Sequence, residues 1–286
     1  MIKKETMKAY KPLLILCVAL CFATSCKKEV DMTLVQKTLF ENANISQVYV
    51  FDSWEVTIVA DDRSYVELEY SAYLEPGLQV EIENSRLEIG FTSNVNPVPG
   101  SVFKATVHTT EKEFLAVRAE NSSVITMEGP FELEDSIDIE LIDASVCSGF
   151  KVSAESCSIL ATNASQLLGV DYQGKNCVLL VTKSSSCKGS FNVENSFNAS
   201  ALISSQIIVF GGAMPSASIE VKEEGTINMV QAEVNDMKVH LEGASEATVN
   251  VTETIRGFIL SSSTLYYKGH PQIDVDCSED SQLIHF

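Results

Sequence analysis

"NASQL" at residues 163–167 decides the fold, because near copies return along the chain: "DASVC" at 143–147, "KSSSC" at 183–187, "ISSQI" at 203–207 and "GASEA" at 243–247. Aligned on the central residue, Ser145, Ser165, Ser185, Ser205, Gly225 and Ser245 stand twenty residues apart. Ser263 and Ser281 continue the series in steps of 18, and Ser122 in "ENSSV" lies 23 before Ser145. A constant interval of this length marks a repeat architecture.

The residues between the markers fall into columns. Two places after each marker stand Cys147, Leu167, Cys187, Ile207, Ile227, Ala247, Leu265 and Leu283, all apolar or small. Half a repeat away, a second column runs Ile137, Cys157, Cys177, Phe197, Ala217, Met237 and Gly257. Columns two and four residues further on are also mostly apolar, beginning Ile139, Ile159, Leu179 and Leu141, Ala161, Val181. Alternate residues facing one way is strand geometry. Polar stretches separate the columns, such as "SAES" at 153–156 and "QGKN" at 173–176. Each repeat therefore reads as two short strands and two turns. Such a unit cannot bury its own apolar face, but stacked copies share a core. The fold expected is all-β: a β-solenoid, a parallel β-helix-like superhelix with rungs of about 20 residues over 119–286. The marker serines are turn residues in this reading, small and able to hydrogen-bond locally.

Residues 41–118 alternate as strands without a clean period, in "YVELEY", "LQVEIENSRLEIGF" and "FKATVH". They form either irregular first turns of the same superhelix or a meander capping its open end, an edge that otherwise invites association. Ahead of them, Lys3, Lys4, Lys8 and Lys11 precede the apolar run "PLLILCVALCFA" and the small triplet "ATS" before Cys26. A basic start, a short apolar run and small residues describe a signal peptide over 1–25 rather than a membrane span. Residues 26–40 then read as a tether.

Removing four Lys and one Glu with that segment takes the net charge from −19 to −22. So acidic a chain is excluded from the nucleic-acid binders, which need a basic face. Five cysteines follow Cys26 (Cys147, Cys157, Cys177, Cys187 and Cys277), an odd number with no C-x-x-C spacing. That gives no support to a zinc site or a disulfide framework. His108, His240, His270 and His285 are not spaced as metal ligands, and "GASEA" falls short of a G-x-S-x-G elbow. Acidic pairs such as Asp61/Asp62 lack the spaced oxygen donors of a calcium loop. No cofactor and no catalytic set is expected. The outward column Asp138, Ser158, Val178, Asn198, Ser218, Lys238, Phe258 gathers no catalytic carboxylates. Leu160, Val178 and Leu180 point outward on adjacent rungs, and outward apolar residues mark a covered surface. Either residues 41–118 cover them, or they form a self-association or partner site.

The sequence resembles the putative auto-transporter adhesin, head GIN domain family of Bacteroides-type lipoproteins. The carriers are "ATSC" before the lipid cysteine, "VYVFDSWEVTIVADD" at 48–62, the small-residue turns and "SSSTLYYKGHPQIDVDCSEDSQL" at 261–283. Ser261-Ser262-Ser263 and Glu279-Asp280-Ser281 stand where the family commonly has Gly-Ser-Gly. The resemblance implies a superhelical β fold like pectin-lyase-type solenoids, with no shared catalytic residues. It also implies lipidation at Cys26. The expectation is an outer-membrane lipoprotein, periplasmic or surface-facing, acting as a non-catalytic adhesin-like binder or scaffold with a protein or glycan ligand. The alternative is a carbohydrate-active or glycan-binding β-helix protein, with Tyr266 and Tyr267 as its sugar platform. Cys26→Ala is expected to abolish labelling with palmitate and to release the protein from the membrane fraction. A variant that stays acylated and membrane-bound overturns the lipid anchor.

Overall fold

The computed structural model describes residues 30–92, 95–110 and 114–286. The signal peptide, Cys26 and the start of the tether lie outside the described residues. The strands are β1 (Leu34–Leu39), β2 (Gln47–Val50), β3 (Glu55–Asp61), β4 (Tyr65–Ser71), β5 (Leu78–Glu83), β6 (Arg86–Phe91) and β7 (Phe103–Thr110). There follow β8 (Ala116–Ala119), β9 (Val124–Glu128), β10 (Pro130–Glu132), β11 (Ser136–Leu141), β12 (Val146–Ser148), β13 (Lys151–Ala161), β14 (Gln166–Thr182) and β15 (Ser186–Leu202). The last are β16 (Gln206–Gly211), β17 (Ala213–Lys222), β18 (Thr226–Glu242), β19 (Glu246–Ile259), β20 (Thr264–Lys268), β21 (Gln272–Cys277) and β22 (Gln282–His285). They wind into a β-solenoid of about eight turns, with rungs about 20 residues apart.

The core columns stack in register, with Ile139, Ile159 and Leu179 side by side on β11, β13 and β14. Burial along one rung shows how the chain closes. Ser145 and Cys147 are buried, then Phe150, Val152 and Ala154, then Cys157, Ile159 and Ala161, then Ser165 of the next rung. Steps of two keep side chains on one face; a step of three reverses parity and a step of four skips an inward position, so the backbone must bend at each to keep the core inside. There are three such breaks per rung, at 147→150, 154→157 and 161→165. The rung therefore has three faces, not the two strands and two turns of the sequence reading. In the rungs of β14, β15 and β18 only the last corner interrupts the strand. At 173–176, where a turn was expected, β14 bends within a continuous strand of 17 residues.

The interrupted corner carries two consecutive residues in the left-handed region, such as Asn163 and Ala164 (φ 56° and 64°) or Lys183 and Ser184 (54° and 62°). The marker serine follows them and is buried, not exposed in the turn. Its hydroxyl closes the corner: Ser145 Oγ donates to the Ile142 carbonyl at 2.7 Å and Ser165 Oγ to that of Thr162 at 2.8 Å. It also serves the rung before, since the Ser165 N–H donates to Ser185 Oγ at 3.1 Å. The true counterpart of Ser145 in the preceding rung is the buried Ser123, not Ser122, because Val146 pairs with Val124.

The N-terminal region holds both parallel and antiparallel strands. Strands β2, β3, β8 and β9 run parallel as the first rungs, with Val48 beside Val117 and Val56 beside Ile125. Antiparallel pairings of β1 with β4, β4 with β7 and β5 with β6 then close that end. Strand β1 lies within the stretch assigned to the tether, so the chain is in the sheet from Leu34. Trp54 occupies the place of the marker serine in its rung and packs on Phe91 and Phe103, with ring centroids 5.5 and 6.0 Å away.

The late register also differs from the sequence columns. Met229 pairs with Val249, twenty residues on, but Met237 pairs with Ile255, Val239 with Gly257 and His240 with Phe258, eighteen on. Gly257 meets that shortening: a Cβ there would lie 1.9 Å from the Val239 carbonyl oxygen, and its φ is 135°. Leu179→Ala should cost about 2–5 kcal/mol as a buried cavity. Ser185→Ala should cost about 1–3 kcal/mol by stranding the Ser165 N–H, and the exposed Lys183→Ala within about 0.5 kcal/mol. Urea denaturation checks this order, and equal losses at Leu179 and Lys183 contradict the register.

Candidate functional site

The face formed by β11, β17, β21 and the C-terminal parts of β13, β14, β15, β18 and β19 is one continuous parallel sheet. In-register pairing sets its outward residues in columns. One runs Asp138, Ser158, Val178, Asn198, Ser218, Lys238, Arg256, Asp274, and its neighbour runs Glu140, Leu160, Leu180, Ser200, Glu220, His240, Phe258, Asp276. Eight rungs at the inter-strand spacing span about 34 Å. Their chemistry changes along the axis: acidic, apolar, polar, basic with an aromatic ring, then acidic again.

Val178 and Leu180 are 47% and 38% exposed, and Leu160 is half-buried. The described residues of 41–118 do not fold over them. Strand β8 continues the same sheet in line, so the covering by the N-terminal region does not occur. Near Leu160, Arg118 bonds Glu140 at 2.8 Å and Glu120, and the ring of Tyr49 lies between Arg86 and Arg118, at 5.1 and 5.9 Å.

Tyr266 and Tyr267 do not form one platform. Tyr267 pairs with the buried Val249 and faces inward against the core, its ring 5.0 Å from that of His285. Tyr266 pairs with Thr248 on the outward side. An exposed ring that the sequence columns misplaced is Phe258, 49% exposed, with the His240 ring centroid 6.4 Å away. The 18-residue step between Ser245 and Ser263 was the signal that would have set it beside His240.

His108 forms a second polar cluster at the capped end. Its Nδ1 lies 2.7 Å from Asp61, whose carboxyl is held below its usual range by that bond, and Tyr65 stacks on the ring at 4.0 Å. Its Nε2 has no hydrogen-bond partner among the described residues and lies 3.8 Å from Glu67 Oε2. Among the described residues no group of three or more His, Cys, Asp or Glu could hold a metal ion.

No curated protein matches the chain in sequence. The family model "Putative auto-transporter adhesin, head GIN domain" matches residues 44–271. The chain belongs to this family. Solved structures show the same fold. A putative adhesin from Parabacteroides merdae is 14% identical, covering 89% of this chain and 96% of its own with a TM-score of 0.63. A putative adhesin from Parabacteroides distasonis is 16% identical, covering 90% and 98%, also at 0.63. A putative lipid binding protein from the same species is 13% identical, covering 90% and 98% at 0.50. In this GIN-domain chain the core thiols are inert groups. Cys147, Cys157, Cys177 and Cys187 are buried and free, with Cys157 beside Cys177 in register, whereas Cys277 is exposed.

Burial pushes the Cys147 thiol up to about 12 and raises Cys177 and Cys187 as well. The folded chain thus holds these protons where the unfolded chain releases them, near pH 8.5. Stability should be unaffected by these groups below about pH 8.5 and should fall as pH rises above it. In the residues 27–286 chain a thiol reagent at pH 8 should label Cys277 alone in the native state and all five cysteines in urea. Native labelling of Cys147 contradicts the core.

Proposed function

We propose that this chain is a non-catalytic, adhesin-like binding protein of the cell envelope, anchored through lipidated Cys26 and presenting its outward sheet face to a protein or glycan partner. The observation that carries this reading is the uncovered Leu160–Val178–Leu180 patch on a rigid sheet. Solvent-exposed apolar side chains on adjacent strands, rimmed by Asn198, Asp138 and Glu140, have the composition of an interface: an apolar centre with a polar rim. Family membership and the adhesin-named neighbours support the same role. The Cys26 anchor and an outer-membrane location, periplasmic or surface-facing, rest on the N-terminal sequence alone. The acidic surface keeps nucleic acid outside the range of partners.

The residues 27–286 chain, coated on beads, should be retained by members of a panel of host-matrix proteins and glycans. Val178→Asp with Leu180→Asp should reduce retention of protein ligands about tenfold, the loss of one well-packed anchor. Both side chains are exposed, so the thermal midpoint should hold. Retention by no panel member overturns the binding reading, and retention indifferent to the double variant overturns the assignment to this patch.

A further inference from the structure

Two rungs of the sheet face differ from the rest of this acidic chain. Lys238 and Arg256 are neighbours in one outward column, and His240 and Phe258 are neighbours in the next. Adjacent like charges on paired strands repel, and among the described residues neither Lys238 nor Arg256 makes a direct ion pair or side-chain hydrogen bond. A bound anion would relieve that repulsion. Beside the pair, Phe258 offers a half-exposed ring held on a strand of the rigid stack, with His240 edge-on to it at 71°. On the next rung, Asp274 pairs with Arg256 and Asp276 with Phe258.

We propose that Phe258, Arg256, Lys238 and His240 form a subsite for a sugar ring that carries a carboxylate. The proposal rests on the binding-protein reading and names a ligand class for it. Each part of such a ligand meets a matching group. The C–H face of a pyranose, weakly positive, fits the negative face of an aromatic ring. The carboxylate accepts charge-assisted hydrogen bonds from the fork of Arg256 and from Lys238. The remaining hydroxyls donate to Asp276 and Asp274, carboxylates that a simple anion would avoid. Two residues along a strand and one rung across it, Phe258 and Lys238 are separated by roughly 8 Å. One uronic-acid residue spans that distance with its carboxylate on the cationic side. An inorganic anion has no use for Phe258, and an acidic peptide has no need of Asp274 and Asp276.

The test is calorimetric titration of the residues 27–286 chain with trigalacturonate, with maltotriose as the neutral sugar and sulfate as the bare anion. Saturable binding of trigalacturonate is expected, with little or none of maltotriose or sulfate. Phe258→Ala and Arg256→Gln should each weaken it about tenfold or more, the loss of one aromatic or charge-assisted contact. Lys183→Ala, at an exposed corner outside this face, should leave it unchanged. All three side chains are exposed, and a retained thermal midpoint certifies the fold. No binding of trigalacturonate, binding unchanged by both Phe258→Ala and Arg256→Gln, or sulfate matching trigalacturonate overturns the subsite. If the coated beads still adhere to the matrix panel while trigalacturonate does not bind, the sugar subsite falls and the binding-protein reading stands. If neither occurs, both fall.

Discussion

Everything in this molecule follows from one constraint: each rung must return its chain to the same place with the same side-chain parity. Parallel pairing in register puts Ile159 on Leu179 and Cys157 on Cys177, so one residue gained or lost within a face would turn a whole column outward. Changes in rung length therefore fall where parity is already reset. The shortening lies between Met229 and Asp236 on one strand and Val249 and Thr254 on the next, across the bends: the offset falls from 20 at Met229–Val249 to 17 at Val234–Val251 and settles at 18 from Asp236–Thr254. Volume is conserved by the same rule. Phe191 and Phe197, with rings 5.4 Å apart, share their rung with Gly189, Ala199 and Ala201. Two large rings and three small residues fill the section that other rungs fill evenly, as close packing requires.

The corners carry the cost of that closure. A left-handed backbone is unfavourable by about 1–2 kcal/mol per residue for anything but glycine, yet Lys183, Ile203, Glu223 and Glu224 all adopt it. What holds them is the neighbouring rung. The Ala164 N–H donates to the Lys183 carbonyl and the Ser184 N–H to that of Ile203, both at 2.9 Å, so each corner is fixed by the next. The buried serine hydroxyl supplies the remaining hydrogen bonds without adding bulk. Strain at one rung is thus offset by stacking with others, and the corner is stable only inside the array. The antiparallel cap of β1, β4 and β5 follows from the same need, since the first rung has no preceding corner to lean on and Trp54 fills the space instead.

The sequence showed the period plainly because stacking forces like residues into columns. It hid the third corner because a three-residue step looks like an irregularity in an alternating pattern. Gly149, Gly169 and Gly189, twenty apart beside that step, were its available sign, and Gly149 and Gly169 do take φ near 70°. The serines were recognised as structural, but their burial was not legible, since a small polar residue beside a turn reads the same whether it faces out or in. Tyr266 and Tyr267 could have been separated from sequence alone, because successive residues of a strand face opposite sides. Phe258 needed the register, and the register turned on one 18-residue step.

Outward positions are free of the stacking constraint, so their departures from plain polarity carry information that the core columns do not. On the sheet face those departures come in two places: Leu160, Val178 and Leu180, and then Lys238, His240, Arg256 and Phe258. Between them Asn198, Ser200, Ser218 and Glu220 are ordinary polar residues. Leu180 and Phe258 are four rungs apart, about 19 Å at the strand spacing, and a hydrogen-bonded stack holds that distance without a hinge. A small ligand cannot touch both. On the proposed binding reading, a partner that engages the two together must be extended, a polymer or a protein surface, and would meet the solenoid as a ruler with two marks.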